Sequence, residues 1–308
     1  MRKSITILAT TRCDLRCRHC LRQHGASDDK VDIPLYLVNK ALREGRELGF
    51  RHAALTGGEP AMHSRFNQLV ALVHSLGYTW SVVSNGWLPE RYAAALRQYG
   101  VTCTFTTVSL DGLEAEHDNV RGRGSFERAL QALDFFKGLG APISISFMLN
   151  SLNYDQLPEI LELAVLKEVE RLTIASVIPN ASNRDLLVST AQKETAHTFL
   201  REAQETFPIR LTFCTSLYTV EDSEKFCGLL DYPQPAINVY GEYIFCCDTV
   251  GRGARLGNLR RESFSELYLQ QIKQGARLKE LRRKMIARGQ VFEGFNSCHF
   301  CNTMLMSL

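Results

Sequence analysis

The 308-residue chain has no long apolar run, and that absence excludes two addresses at once. The N-terminal stretch "MRKSITILATTRCD" carries two basic residues but only about five apolar residues in a row. A secretory signal needs roughly 7–15, and a membrane span needs about 20. Charge of one sign is also scarce, since 36 Lys and Arg against 33 Asp and Glu leave a net +3. The basic residues are dispersed rather than gathered into one block, which argues against a nucleic-acid footprint. Internal repeats and low-complexity segments are missing as well. Together these absences predict a cytoplasmic protein with neither a membrane nor a nucleic acid as partner. What remains is ordinary globular composition, 45% apolar and 22% charged, in a chain long enough to need no covalent staples.

Cysteine, by contrast, is plentiful. Ten occur, at positions 13, 17, 20, 103, 214, 227, 246, 247, 298 and 301. In a reducing compartment they are poor candidates for structural disulfides, and clustered intracellular cysteines point to metal ligation. Cys13, Cys17 and Cys20 form a C-x3-C-x2-C triplet within "TTRCDLRCRHCLRQHG". Structural zinc usually takes four ligands from two close pairs, and this triplet has no fourth cysteine nearby. A cubane 4Fe–4S cluster is normally held by four thiolates, so three would leave one iron free for a substrate or cosubstrate.

The first 180 residues alternate between β-rich and helical patterns. Strands are predicted at 4–10, 52–55, 79–84, 102–110, 143–149 and 171–176, with a character that suits burial on both faces. Helices are marked by Phe66, Leu69, Val70, Val73 and Leu76, by Phe126, Ala129, Leu130 and Leu133, and by Leu157, Ile160, Leu161 and Ala164. A fourth helix is expected from about Thr190 to Thr206, and a charged one over 262–288. Repeated βα units imply a parallel sheet with right-handed crossovers. Six units fall short of the eight that close a barrel. The expected fold is therefore α/β, a partial (β/α)6 barrel over 1–210, followed by a small C-terminal metal module over 211–308 built from a β-hairpin and a helix. "TGGEP" (56–60), "SNG" (84–86), "SLDG" (109–112), "LNSLN" (149–153) and "IPN" (178–180) each follow a strand, as the cysteine triplet does. That is the rim on which barrel enzymes build active sites.

The triplet "CDLRCRHC", with "TGGEP", "SLDG", "VRGRGSF" (120–126) and the βα order, resembles the radical S-adenosylmethionine (SAM) superfamily over about residues 4–180. The resemblance implies that Cys13, Cys17 and Cys20 hold a 4Fe–4S cluster whose open iron is chelated by SAM. It places Gly57, Gly58 and Glu59 at the methionine amino group, where glycines allow close backbone approach and a carboxylate can accept from an ammonium. Ser109 and Arg121 match positions that contact the ribose or the methionine carboxylate, the latter suited to a guanidinium fork. Asn85 is a further candidate at the cofactor, and His19 is expected beside adenine. The implied reaction is reductive cleavage of SAM to methionine and a 5′-deoxyadenosyl radical, which takes hydrogen from an unactivated carbon.

A second cysteine set has the order C-x13-G-x4-C…C-x2-C, from Cys227 through Gly241 and Cys246 to Cys298 and Cys301. It resembles the twitch module, a shortened form of the SPASM extension of some superfamily members. That resemblance implies an auxiliary 4Fe–4S cluster ligated by Cys227, Cys246, Cys298 and Cys301, with Gly241 in a hairpin turn. A four-cysteine zinc site is the competing interpretation, and Cys247 competes with Cys246 for the ligand position. Only seven residues follow Cys301, so a second auxiliary cluster is not expected. Cys103 and Cys214 are expected in the core, while His24, His52, His63 and His117 show no ligand spacing.

Compact length and four-cysteine spacing resemble the aminocyclitol dehydrogenases of the superfamily. They point to oxidation of a small alcohol, an aminocyclitol or sugar, with the auxiliary cluster accepting an electron. The alternative is a maturase that crosslinks, epimerises or oxidises a ribosomally made peptide. Against it stands the barrel's start at residue 4, with no separate leader-binding domain before it. A zinc-dependent RNA- or protein-binding module is the remote third possibility. For either enzyme, a flavodoxin or ferredoxin is the expected electron donor.

Overall fold

The computed structural model describes residues 3–21, 30–180, 182–217, 227, 230, 232–249, 255–289 and 297–306. His24 and most of the turn-rich 218–231 stretch lie outside the described residues. All six predicted strands form: β1 (Ser4–Leu8), β2 (His52–Thr56), β3 (Thr79–Ser84), β4 (Cys103–Ser109), β5 (Ile143–Leu149) and β6 (Arg171–Ser176). They pair in parallel, each with the next in sequence. Helices α1 (Leu35–Glu47), α2 (Phe66–Ser75), α3 (Ala93–Tyr99), α4 (Glu114–Arg121), α5 (Ser125–Gly138), α6 (Leu157–Leu166) and α7 (Thr190–Thr206) lie in the crossovers. A capping box between Ser189 and Gln192 starts α7. Sequential parallel pairing with helical crossovers gives the partial α/β barrel.

Two features differ from expectation. A seventh strand, β7 (Arg210–Phe213), pairs in parallel with β6. Its four residues are too few to display alternation, and none is fully buried. The strands are also not buried on both faces throughout. In β2 and β6 buried residues alternate with half-buried ones. The helices cover only one face, where Ala53, Leu55, Leu172 and Ile174 join the core. The other face lines the barrel interior and carries His52, Thr56 and Thr173.

The core under the helices is aromatic. Trp80, Tyr78, Tyr92, Phe50, Phe136 and Phe147 are fully buried. Tyr78 donates to Leu42 O at 2.8 Å and Trp80 Nε1 to Tyr99 O at 3.2 Å, so neither hides an unpaired donor.

The C-terminal segment is fastened to this barrel. Strands β8 (Ala236–Ile237) and β9 (Glu242–Ile244) form the expected hairpin, shorter than the sequence suggested. Residues 238–241 are used by the turn, where Gly241 has φ +78° and Asn238 Oδ1 accepts from Tyr240 N and Glu242 N, both at 3.0 Å. Strand β8 runs parallel to β1, pairing Ala236 with Thr6 and Ile237 with Ile7. With β10 (Arg255–Asn258) beyond β9, the sheet has ten strands among the described residues, ordered β10-β9-β8-β1-β2-β3-β4-β5-β6-β7. The long helix Phe264–Ala287 starts with a Ser263–Glu266 capping box and packs on α1. Phe264 meets Phe50 and Tyr243 edge-on at 5.5 and 5.6 Å. Among the described residues, no helix is long and apolar enough to cross a membrane.

Candidate active site

Two loops meet at the C-terminal ends of β1 and β2. Gly58 N donates to Thr10 O and Glu59 N to Arg12 O, both at 2.7 Å. The glycines make this approach possible. Gly57 has φ +141°, and a Cβ there would lie 2.6 Å from Thr10 O. A Cβ on Gly58 would lie 2.0 Å from Arg12 O. The close contact of "GG" is thus with the backbone that leads into Cys13.

Cys17 is buried, and Cys13 and Cys20 are half-buried. Their mutual influence follows the chain, since Cys13 feels the charge of Cys17 and Cys17 that of Cys20. Burial pushes the Cys13 thiol up to about 12, and it raises Cys17 against the pull of Arg121. Metals bind thiolates, so loading a metal on these thiols would release protons. Two thiols already have polar donors: Asn85 Nδ2 lies 3.7 Å from Cys13 Sγ, and Arg121 Nη1 lies 3.9 Å from Cys17 Sγ. The same Asn85 amide donates to Asp14 Oδ1 at 2.6 Å. Three neighbouring thiols served by an amide and a guanidinium fit an anionic cluster.

Glu59 is buried and points into the protein. It accepts from Asn85 N at 2.8 Å, from Ser84 Oγ at 3.1 Å and from the Tyr92 hydroxyl. Burial pushes its pKa up to about 7 despite these donors. The carboxylate fixes the end of β3, and the next residue, Asn85, lies beside Cys13. Ser109, at the end of β4, is buried.

Sequence reasoning missed Asp111, although it stands in "SLDG". It is fully buried, takes Arg121 Nε at 2.6 Å, and lies 3.6 Å from His19 Nε2. Burial opposes ionisation, yet the Arg121 guanidinium beside it holds its carboxyl below the usual range. Removing one partner of such a pair costs about 3–5 kcal/mol, because a buried charge is left uncompensated. His19 therefore packs against a carboxylate, with its Nδ1 buried and without a hydrogen-bond partner. The legible signal was a carboxylate at a strand end, ten residues before an arginine.

His117, without ligand spacing in the sequence, stands in the same network. Its Nδ1 accepts from Asp111 N at 2.9 Å, so the ring is neutral there. Burial pushes its pKa down to about 4 from 6.5. The unfolded chain gains the proton first as pH falls. The contribution is therefore fully present above pH 6.5 and is lost as pH falls through about 4, some 3 kcal/mol in all. Denaturant unfolding of the metal-free protein should show a shallower loss of stability between pH 7 and 4 in His117→Gln than in wild type. Parallel curves would contradict the assignment. His52 instead contacts Thr79 and Ser81, and His63 contacts Ile33 O.

The second cysteine set lies where the hairpin, the last helix (Ser297–Met306) and the turn after β7 come together. Cys227, Cys246 and Cys301 pack around Leu230, Phe245 and Leu278. Cys298 feels Asp248, Cys227, Cys301 and Cys214. Asp248 is 3.6 Å from Cys247 Sγ and 3.9 Å from Cys298 Sγ. Cys246, Cys247 and Asp248 converge to within 4.8 Å, close enough for a single ion. Cys214, expected in the core, also feels Asp248, Cys247 and Cys227. Cys103 is a buried core residue.

A model of the Radical SAM superfamily matches residues 7–164. Fe-coproporphyrin III synthase of Methanosarcina barkeri is 30% identical over 165 residues, 53% of this chain and 41% of that protein. PqqA peptide cyclase of Rhizobium meliloti is 24% identical over 254 residues, 80% of this chain and 62% of that protein. The alignments thus span about half the length of these curated relatives, from 41% to 62%. The structure of Streptococcus suis SuiB bound to precursor peptide SuiA has a TM-score of 0.71 and 15% identity, covering 87% of this chain and 65% of that one. At that identity the likeness concerns the fold. With a family match over half its length and a thiol triad at the rim of a partial barrel, this chain belongs to the radical SAM superfamily, whose cofactors are a 4Fe–4S cluster and SAM.

Proposed function

We propose that the chain is a peptide-modifying radical SAM enzyme, in which Cys13, Cys17 and Cys20 hold the SAM-binding cluster. The observation that carries the peptide is the extent of the match to PqqA peptide cyclase. It runs over 80% of the chain and therefore beyond the 165 residues shared with Fe-coproporphyrin III synthase. The fold shared with SuiB, whose structure contains a precursor peptide, agrees with it. Oxidation of a small alcohol rests on cysteine spacing and compact length and is the weaker reading.

Held by Cys13, Cys17 and Cys20, a 4Fe–4S cluster would supply the one-electron chemistry for reductive cleavage of SAM and hydrogen abstraction from the substrate. The chain's own residues prepare that site. Gly57 and Gly58 bring two backbones together, Asn85 and Arg121 donate toward Cys13 and Cys17, and His19 closes the buried side beside Asp111. Ser109 and Arg121 remain the proposed contacts to SAM. Cys227, Cys246, Cys298 and Cys301 are proposed to hold an auxiliary 4Fe–4S cluster. The convergence of Cys246, Cys247 and Asp248 favours a single ion such as zinc as the competing occupant.

The test is hydrogen transfer. Reconstituted enzyme is incubated under reducing conditions with SAM and either deuterated peptides translated from open reading frames flanking its gene or a deuterated aminocyclitol. Deuterium should enter 5′-deoxyadenosine from a peptide and not from the aminocyclitol. The reverse result would restore the alcohol.

A further inference from the structure

The Cys17 side of the site depends on a carboxylate that touches no thiol. Asp111 lies just past β4, and four separate groups hold it. Its Oδ2 takes Arg121 Nε at 2.6 Å and its Oδ1 takes Met148 N at 2.8 Å. Its carbonyl takes Asn153 Nδ2 at 2.8 Å, and its own N–H donates to His117 Nδ1 at 2.9 Å. Strand β5 and helix α4 therefore fix the carboxylate through Met148 and Arg121, while Asn153 in the loop after β5 and His117 in α4 fix the backbone that carries it. Neither the carboxylate nor the guanidinium it grips can turn freely. Arg121 is the last residue of α4, where Gly122 follows at φ +124° and the chain turns away. Its own backbone therefore gives the side chain little support on that side, and Asp111 supplies the missing constraint.

We propose that Asp111 is a positioning residue for SAM binding: it holds Arg121 with Nη1 toward Cys17 and the fork facing the cofactor, and backs His19 from the same oxygen. This rests on the assignment of Cys17 to the SAM-binding cluster. Three observations converge on it. Asp111 is fully buried, Arg121 is almost so, and the buried Nδ1 of His19 has no protein partner, as expected of a ring presented to a bound molecule. Charge adds a second reason. The Asp111–Arg121 pair is neutral as a unit, so the thiolates and the SAM carboxylate meet an oriented donor rather than a loose cation. Orienting partners behind a metal site typically change affinity or activity by 10–100-fold when removed.

The experiment is a double-mutant cycle on reconstituted enzyme, comparing wild type, Asp111→Asn, Arg121→Gln and the pair. SAM affinity is measured from the SAM-induced change in the EPR spectrum of the reduced cluster. Asp111→Asn should bind SAM about 10–100-fold more weakly with wild-type iron content. In the Arg121→Gln background the same substitution should add nothing, because the group it positions is gone. Melting of the metal-free proteins gives a readout independent of the cofactor. The single Asp111→Asn variant should melt below wild type, and the pair should recover part of that loss, because no buried charge is left unpaired. Should the single variant fail to fold, the pair is compared with Arg121→Gln alone, and equal SAM affinity is expected. Unchanged affinity in Asp111→Asn, or a further loss in the pair, would overturn the positioning role alone. A wild-type cluster whose spectrum ignores SAM would overturn the cluster assignment and this inference with it.

Discussion

A chain with alanine at Cys13, Cys17 and Cys20 is expected to form no 5′-deoxyadenosine above the uncatalysed background. The substitutions should leave the fold intact. Thr11 N bonds to Val31 O at 2.9 Å, and Gly58 N and Glu59 N fasten Thr10 and Arg12, so backbone contacts rather than thiols hold this loop. Only Cys17 of the three is buried, and its loss removes little volume. Stability and activity should therefore separate, with a near-native melting transition and no SAM cleavage. Each single substitution should come close to the triple, since groups that act as one unit do not contribute additively. Cleavage that survived in the triple variant would place the cluster elsewhere.

Gly58→Ala should do comparable damage without touching a thiol. A Cβ there would meet Arg12 O at 2.0 Å and Arg12 C at 2.6 Å, both backbone atoms that no rotamer change can move. The loop must shift, and overpacking of this kind costs typically about 1–3 kcal/mol and occasionally more. Because Arg12 adjoins Cys13, the shift falls on the triad. Iron at the first site should drop well below wild type while far-UV circular dichroism is retained. Gly100→Ala is the control, since its φ of −60° is helical and no atom lies within 4 Å of the added Cβ. That substitution should be neutral or stabilise by about 0.4–1 kcal/mol. Equal iron in the two variants would mean that the Gly58 contact does not position the triad.

What the sequence revealed divides along the range of the interactions. The six strands and helices α2, α5, α6 and α7 were legible because each is coded locally, by β-branched runs such as "TWSVVS" ending in "NG" and by helical spacing such as that of Leu157, Ile160 and Leu161. Helices α1, α3 and α4 were not marked. The turn at Gly241 was legible for the same reason. The pairing of β8 with β1 was not, since Ala236 and Thr6 are far apart in sequence and neither carries a mark of the other. Strand β7 was too short to show a period.

The site divides in the same way. A thiol triplet is a sequence pattern, whereas the partners of a buried carboxylate are set by packing. Glu59 was visible as part of "GGEP", but that it would be spent on Ser84, Tyr92 and Asn85 was not. Asp111 was passed over because its partners arrive from β5, the following loop and α4. Cys214 resembled an isolated core thiol until the turn it precedes was seen against the last helix, which carries Cys298 and Cys301.

The most direct single measurement is the iron, sulfide and zinc content of the anaerobically reconstituted wild-type protein beside the Cys13/Cys17/Cys20→Ala variant. Two cubane sites predict about eight irons per wild-type chain and about four in the variant, with no zinc. About four irons in wild type, none in the variant and one zinc in both would contradict the auxiliary cluster and make the C-terminal site structural.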